Sequence, residues 1–278
     1  MAYLQMDGGR RLYYTEEGTG KPVVLIHGWK ASADVYAEAS RLLTESGNYR
    51  CIRYDQCGHK RSDVPAEGPS LQTLAEDLHS LITALQLEKP ILVGWSMGGM
   101  TVLEYIRLYG SDDLDRIVIV DISPRSLNDE TWHFGRKNGT YTLANLEEDH
   151  AQMRADFKAF LHSYYLGSQR GYAQRTPEAQ RRIVEERMIG HHPMVLTNLW
   201  YSMNLRDHRS VLPAITCPAA IFHAEILPSC SKEAARYYDD HIAAPHRVVL
   251  FDGCSHALIS EQPERFAAEL LDFFEFSR

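Results

Sequence analysis

The chain has 278 residues, of which 44% are hydrophobic and 24% charged, and it carries a net charge of −8 at neutral pH. That composition suits an ordinary globular core and is too apolar for a disordered chain. The acidic balance, with no long basic stripe, argues against nucleic acid or an anionic membrane as partner, and no apolar run approaches the ~18 residues of a membrane span.

The first residues hold no apolar stretch behind a basic one, so no secretory signal is read there. Tyr3–Met6 and Arg11–Thr15 flank Asp7-Gly8-Gly9 as a hairpin. From there strands and helices alternate. Val23–Ile26 is a short apolar run of the kind buried on both faces of a parallel sheet, followed by a helix near Val35–Thr44 and a strand at Cys51–Tyr54. With Ser70 as N-cap, Leu71, Leu74, Ala75, Leu78, Leu81, Ile82 and Leu85 recur at helical spacing. Ile91–Val93 is predicted as a strand, Met97–Leu108 as a helix and Ile117–Val120 as a further strand.

The alternation stops between about residues 123 and 209, which are polar, aromatic and helical in period. It resumes with a strand at Ala219–Phe222, a helix at Lys232–Asp239, a strand at Val248–Phe251 and a helix at Pro263–Phe274. This order predicts an α/β fold, a doubly wound and mostly parallel sheet with an inserted helical cap. The core would comprise residues 1–122 and 210–278, and the cap residues 123–209. The five cysteines are odd in number, lack CxxC spacing and read as reduced, mostly buried thiols of a cytoplasmic protein. With no HExxH either, no metal and no cofactor are expected.

Gly94-Trp95-Ser96-Met97-Gly98 fits G-x-S-x-G. The pentapeptide alone is a weak signal, but here a buried strand precedes it and a helix follows. The glycines Gly94 and Gly98 allow the tight turn that lifts a serine hydroxyl clear of a sheet at a helix N-terminus. Together with His27-Gly28-Trp29, Tyr54-Asp55-Gln-Cys-Gly58-His59 and Gly253-Cys-Ser-His256, this turn gives the chain a resemblance to the α/β-hydrolase superfamily. The likeness extends over about residues 3–122 and 210–276 and is strongest to its esterase and cofactor-free haloperoxidase-like branch, which places its acid after the sixth strand. The resemblance implies Ser96 as nucleophile, His256 as general base, and an oxyanion hole made by the backbone N–H groups of Trp29 and Met97. A neutral serine is a poor nucleophile, so a base to take its proton and an acid to orient that base are what the chemistry requires.

Three positions depart from the family pattern. Leu227 stands where many relatives carry the acid, in His223-Ala224-Glu225-Ile226-Leu227. Asp121, at the end of Ile117-Val-Ile-Val, is therefore the expected acid, with Glu225, taken to face solvent, as runner-up. Ser255 replaces a glycine before His256, and Lys60 replaces the middle glycine of Gly-His-Gly-x-Ser; Asp55 and His59 read as structural, and His27 as a support for its loop. Aromatics of the insertion, among them Trp132, Tyr164, Tyr165 and Trp200, are expected mostly to pack the cap, with a few lining an apolar pocket. The expected substrate is a small molecule with an acyl group, an ester, lactone or thioester. A cofactor-free haloperoxidase or perhydrolase, a C–C bond hydrolase and a non-catalytic binding protein are the alternatives, and homo-oligomerisation is left open.

Overall fold

The computed structural model describes residues 2–226 and 228–276. Its strands are β1 (Ala2–Gln5), β2 (Arg11–Gly18), β3 (Lys21–Ile26), β4 (Tyr49–Tyr54), β5 (Ile91–Trp95), β6 (Arg116–Val120), β7 (Ala219–Ala224) and β8 (His246–Phe251). They form one sheet in the order β1-β2-β4-β3-β5-β6-β7-β8. The first hairpin and the β2/β4 pair are antiparallel, and every other pair is parallel. The expected doubly wound sheet is therefore present, with β5 inside it.

Side chains along these strands are divided between two cores. Val24, Ile26, Leu92, Ile117 and Ile119 join one buried cluster, whereas Val23, Leu25, Ile91, Val93, Val118 and Val120 join the other. Successive residues of a strand point to opposite faces, so a strand covered on both sides reads as an unbroken apolar run. Helices α1 (Ala37–Glu45), α2 (Leu71–Ala84) and α3 (Met97–Tyr109) follow strands β3 to β5. Ser70 caps α2 by accepting from the Thr73 N–H, and Leu71, Leu74, Ala75, Leu78 and Leu81 form its buried stripe.

Between β6 and β7 stand α4 (Arg136–Gly139), α5 (Leu143–Ala155), α6 (Phe157–Ser168), α7 (Pro177–Met188) and α8 (Pro193–Asn204). Within the short α4, Lys137 and Asn138 adopt left-handed backbone angles, so it is a turn that reverses the chain rather than a regular helix. The chain closes with α9 (Glu233–His241), α10 (Leu258–Glu261) and α11 (Pro263–Phe274), the last opening on Pro263 at its first turn. Among the described residues no helix is long and apolar enough to cross a membrane. All five cysteines are buried.

Candidate active site

Ser96 sits where β5 ends and α3 begins. Its backbone has φ 55° and ψ −119°, a region costing a non-glycine residue about 1–3 kcal/mol. The strain holds because both flanking glycines are hemmed in by backbone. A Cβ on Gly94 would lie 2.3 Å from the Gly98 carbonyl oxygen, and one on Gly98 would lie 2.1 Å from that of Ile26. The motif spacing thus reflects two places where strand, turn and helix touch.

The site stands at the carboxyl ends of the parallel strands, where open α/β sheets bind ligands. The Ser96 N–H donates to the Val120 carbonyl at 2.9 Å and the Asp121 N–H to that of Phe222 at 2.8 Å, so β5, β6 and β7 end in register. His256 lies beyond β8. Its Nε2 is 3.0 Å from Ser96 Oγ, and its Nδ1 is 2.6 Å from Asp121 Oδ2. With the serine hydroxyl donating to Nε2, the ring proton is on Nδ1 and donates to the carboxylate. All three side chains are buried.

Asp121 is held from several sides. Its Oδ1 accepts from the Ala224 N–H at 3.0 Å, and its Oδ2 accepts from the Ser229 N–H at 3.0 Å as well as from His256. The Ser229 hydroxyl donates to the Asp121 carbonyl. Burial alone would lift the carboxyl, but the hydrogen bond and charge of His256, with His223 and the Ala224 amide, hold it below its ordinary range. Such a group stays ionised and can stabilise an imidazolium. His223 Nδ1 approaches the same carboxylate at 3.3 Å, and burial lowers that imidazole's own pKa.

Glu225 is placed elsewhere. It is half-buried rather than facing solvent, and its Oε2 accepts from the Gly253 N–H at 2.9 Å, which fixes the turn before His256. Leu227, the position aligned with the usual acid, lies outside the described residues. Ser255 is tied to Glu261 through both N–H and hydroxyl at 2.7 Å. Lys60 adopts φ 45°, so it follows the left-handed path a glycine takes more readily, at a cost of about 1–2 kcal/mol.

Trp29 and Met97 flank the serine. Met97 opens α3, and its N–H is among the first-turn amides a helix leaves without an internal acceptor. Gly28 runs so close to Ser96 that an added Cβ would stand 3.0 Å from the serine Cβ. The turn carrying Trp29 is braced by His27, whose Nε2 accepts from the Gln56 N–H at 2.9 Å and whose Nδ1–H therefore donates to the Gly28 carbonyl at 2.8 Å. Gln56 in turn donates to the His27 carbonyl at 2.6 Å and accepts from Thr101 on α3 at 2.9 Å. Asp55 and His59 serve the same loops: Asp55 accepts from the Ala33 N–H and from Arg61, and His59 from the Lys30 N–H.

Above Ser96 and His256 lies a cavity of about 680 Å³ whose walls include Trp29, Tyr164, Tyr165, Trp200 and Met203. The Trp29 ring is 4.7 Å from Trp200 and 5.7 Å from Tyr164, and its indole N–H donates to the Leu196 carbonyl at 2.8 Å. The cavity is not the apolar pocket expected from the aromatics, since Lys30, Lys60, Arg136, Arg170 and Arg187 also line it. A second cavity of about 710 Å³ adjoins it through Arg136, Tyr164, Trp200 and His256. Two supporting contacts escaped the sequence reading. The Trp95 indole donates to the His256 carbonyl at 2.8 Å, and Ser229 clasps Asp121. Trp95 lies inside the motif, but nothing in its local pattern marks a partner 161 positions away.

The chain matches the family model for the alpha/beta hydrolase fold over residues 21–263. A putative non-heme chloroperoxidase of Synechocystis sp. is 39% identical over 109 residues, which span 39% of this chain and 39% of that protein, well under half of either. A bromoperoxidase structure from Bacillus anthracis is 29% identical and superposes with a TM-score of 0.84 over 99% of both chains. An esterase structure from Exiguobacterium antarcticum, 24% identical with a TM-score of 0.85 over 99% of both chains, shares the fold.

Proposed function

This chain belongs to the alpha/beta hydrolase fold family, and we propose that it is a serine hydrolase cleaving a small carboxylic ester, lactone or thioester through an acyl-Ser96 intermediate. The observation that carries the reading is the unbroken relay from Ser96 Oγ through His256 to Asp121, built on a strained strand–helix turn. Ser96 Oγ attacks the carbonyl carbon as its proton passes to His256 Nε2, and Asp121 stabilises the imidazolium. The amides of Trp29 and Met97 receive the developing oxyanion. His256 then protonates the leaving oxygen or sulfur. A water attacks the acyl carbon, gives its proton to His256, and the acid leaves as Ser96 is regenerated. Residues 123–209 serve as the cap that closes the site, over a core of residues 1–122 and 210–278.

A second reading is favoured by the likeness to a bromoperoxidase at 29% identity over 99% of both chains. Hydrogen peroxide in place of water would release the acyl group as a peracid from the same intermediate. Both readings need Ser96. A fluorophosphonate probe is expected to label the protein at Ser96, and Ser96→Ala to abolish labelling and lower ester turnover by about 10⁶. Labelling that survives the substitution would remove Ser96 from the mechanism. Comparing peracid with free-acid yield on one ester, with and without peroxide, separates the two readings.

A further inference from the structure

Arg136 is 8% exposed, yet it has no carboxylate partner among the described residues. Its Nε is buried without a hydrogen-bond partner, and no side-chain acceptor meets its terminal nitrogens there. What it has instead is an aromatic wall, with its guanidinium 4.4 Å from the Trp200 ring and 5.8 Å from that of Tyr141. A guanidinium offers five N–H donors, and a ring face satisfies none of them as a carboxylate would. Buried charges are ordinarily paired. This one instead lines both cavities beside His256.

Glu148 and Glu186 also line the cavities but are exposed and not paired with Arg136, and the other carboxylates there are engaged. Asp149 accepts from the Tyr141 hydroxyl at 2.6 Å, Glu225 from Gly253, Glu261 from Ser255, and Asp34 from Arg61 at 3.1 Å. On the opposite flank of the aromatic wall, the Lys30 ammonium lies 4.3 Å from the Tyr165 ring and 5.8 Å from that of Trp29. Burial and the charge of Arg187 bring Lys30 down to about 7, so it carries its charge only part of the time at neutral pH. Five cationic side chains, Lys30, Lys60, Arg136, Arg170 and Arg187, line the first cavity against three carboxylates, Asp34, Glu186 and Glu261, although the whole chain is negative.

The geometry points to a substrate that carries a carboxylate on its acyl portion, bound by Arg136 while the ester carbonyl lies against Ser96. This substrate class rests on the serine-hydrolase reading. The anion anchor itself does not, because binding can be measured without turnover. A planar carboxylate meets the guanidinium fork through two parallel hydrogen bonds, and Trp200 holds that fork in place. Lys30 and Arg187 add long-range attraction at the other flank.

The test uses p-nitrophenyl hydrogen adipate and its uncharged counterpart p-nitrophenyl methyl adipate, a chain long enough to keep the free carboxylate from attacking its own ester. Wild-type protein is expected to favour the anionic ester by at least 10-fold in kcat/KM. Arg136→Met is expected to shrink that ratio about 10- to 100-fold, the range for losing a charged hydrogen bond, and Arg136→Lys to shrink it less. In parallel, Ser96→Ala protein should bind monomethyl adipate by calorimetry, and Ser96→Ala with Arg136→Met should not. A wild-type ratio below 3, or monomethyl adipate binding indifferent to Arg136, overturns the proposal. Adipate binding that needs Arg136 in a protein that turns over neither ester and takes no fluorophosphonate would instead overturn the hydrolase reading alone. Should Arg136→Met fail to fold, the wild-type ratio and Arg136→Lys still decide.

Discussion

The turn around Ser96 and the helical insertion between β6 and β7 both face the same cavity, yet they are specified in different ways. At the turn, the position of Ser96 depends on backbone held in a costly conformation by close contacts, and those contacts come from neighbouring strands in fixed register. In the insertion, Arg136, Tyr164 and Trp200 come from three separate segments and meet only as side chains. The first arrangement tolerates little change in its small residues. The second can alter what the site accepts without disturbing the sheet, and this is how one fold can host many substrates.

The sharpest way to break this comparison is at the proposed acid, Asp121, which directly follows β6 of the sheet. Asp121→Asn is expected to keep the fold and lower ester turnover by about 10⁴, because the orienting carboxylate is lost. Glu225→Gln should change turnover less than about 3-fold, since the amide oxygen can still accept from the Gly253 N–H. Steady-state rates for the two variants decide the matter, and a reversed pattern would transfer the acid to Glu225.

Next in size comes a pair of glycines. Gly98→Ala places a methyl 2.1 Å from the Ile26 carbonyl oxygen, so backbone must move. The expected loss is about 3 kcal/mol, a fall in melting temperature of roughly 6–12 °C, together with weaker fluorophosphonate labelling. Gly167→Ala lies near the end of α6 with nothing within 4 Å of the new Cβ. It should leave the melting temperature level or raise it slightly, as alanine suits a helix better than glycine does. Similar losses at both sites would mean that the insertion is as tightly constrained as the turn.

The smallest effect concerns Lys30. It titrates at about 7 in the folded protein and near 10.4 when unfolded. Between those values the unfolded chain holds the extra proton, so this group's contribution to stability rises with pH. Below pH 7 both states are protonated and the whole penalty of the crowded ammonium applies. Lys30→Met should therefore raise the melting temperature at pH 6 by about 2 °C, with the gain fading towards pH 10. A gain equal at both pH values would show that the charge was never under strain.

Sequence alone determined the alternating elements, because strands covered on both faces read as apolar runs and amphipathic helices keep their period. It also singled out Ser96 and His256, as glycines on either side of a serine and a late loop histidine leave a local mark. Asp121 was legible by supply: a carboxylate ends a buried strand beside the elbow strand. What only the tertiary structure decided is how the Asp121 carboxylate is held, with Ala224, Ser229 and His223 converging on it from 102 to 108 positions away. The same is true of the turn role of Glu225 and of Arg136, whose charge has no carboxylate partner among the described residues. A hydrogen bond between distant segments, or an anion missing beside a buried cation, has no period and no spacing along the chain. It exists only once the sheet has brought the ends of β5, β6, β7 and β8 together and the insertion has folded over them.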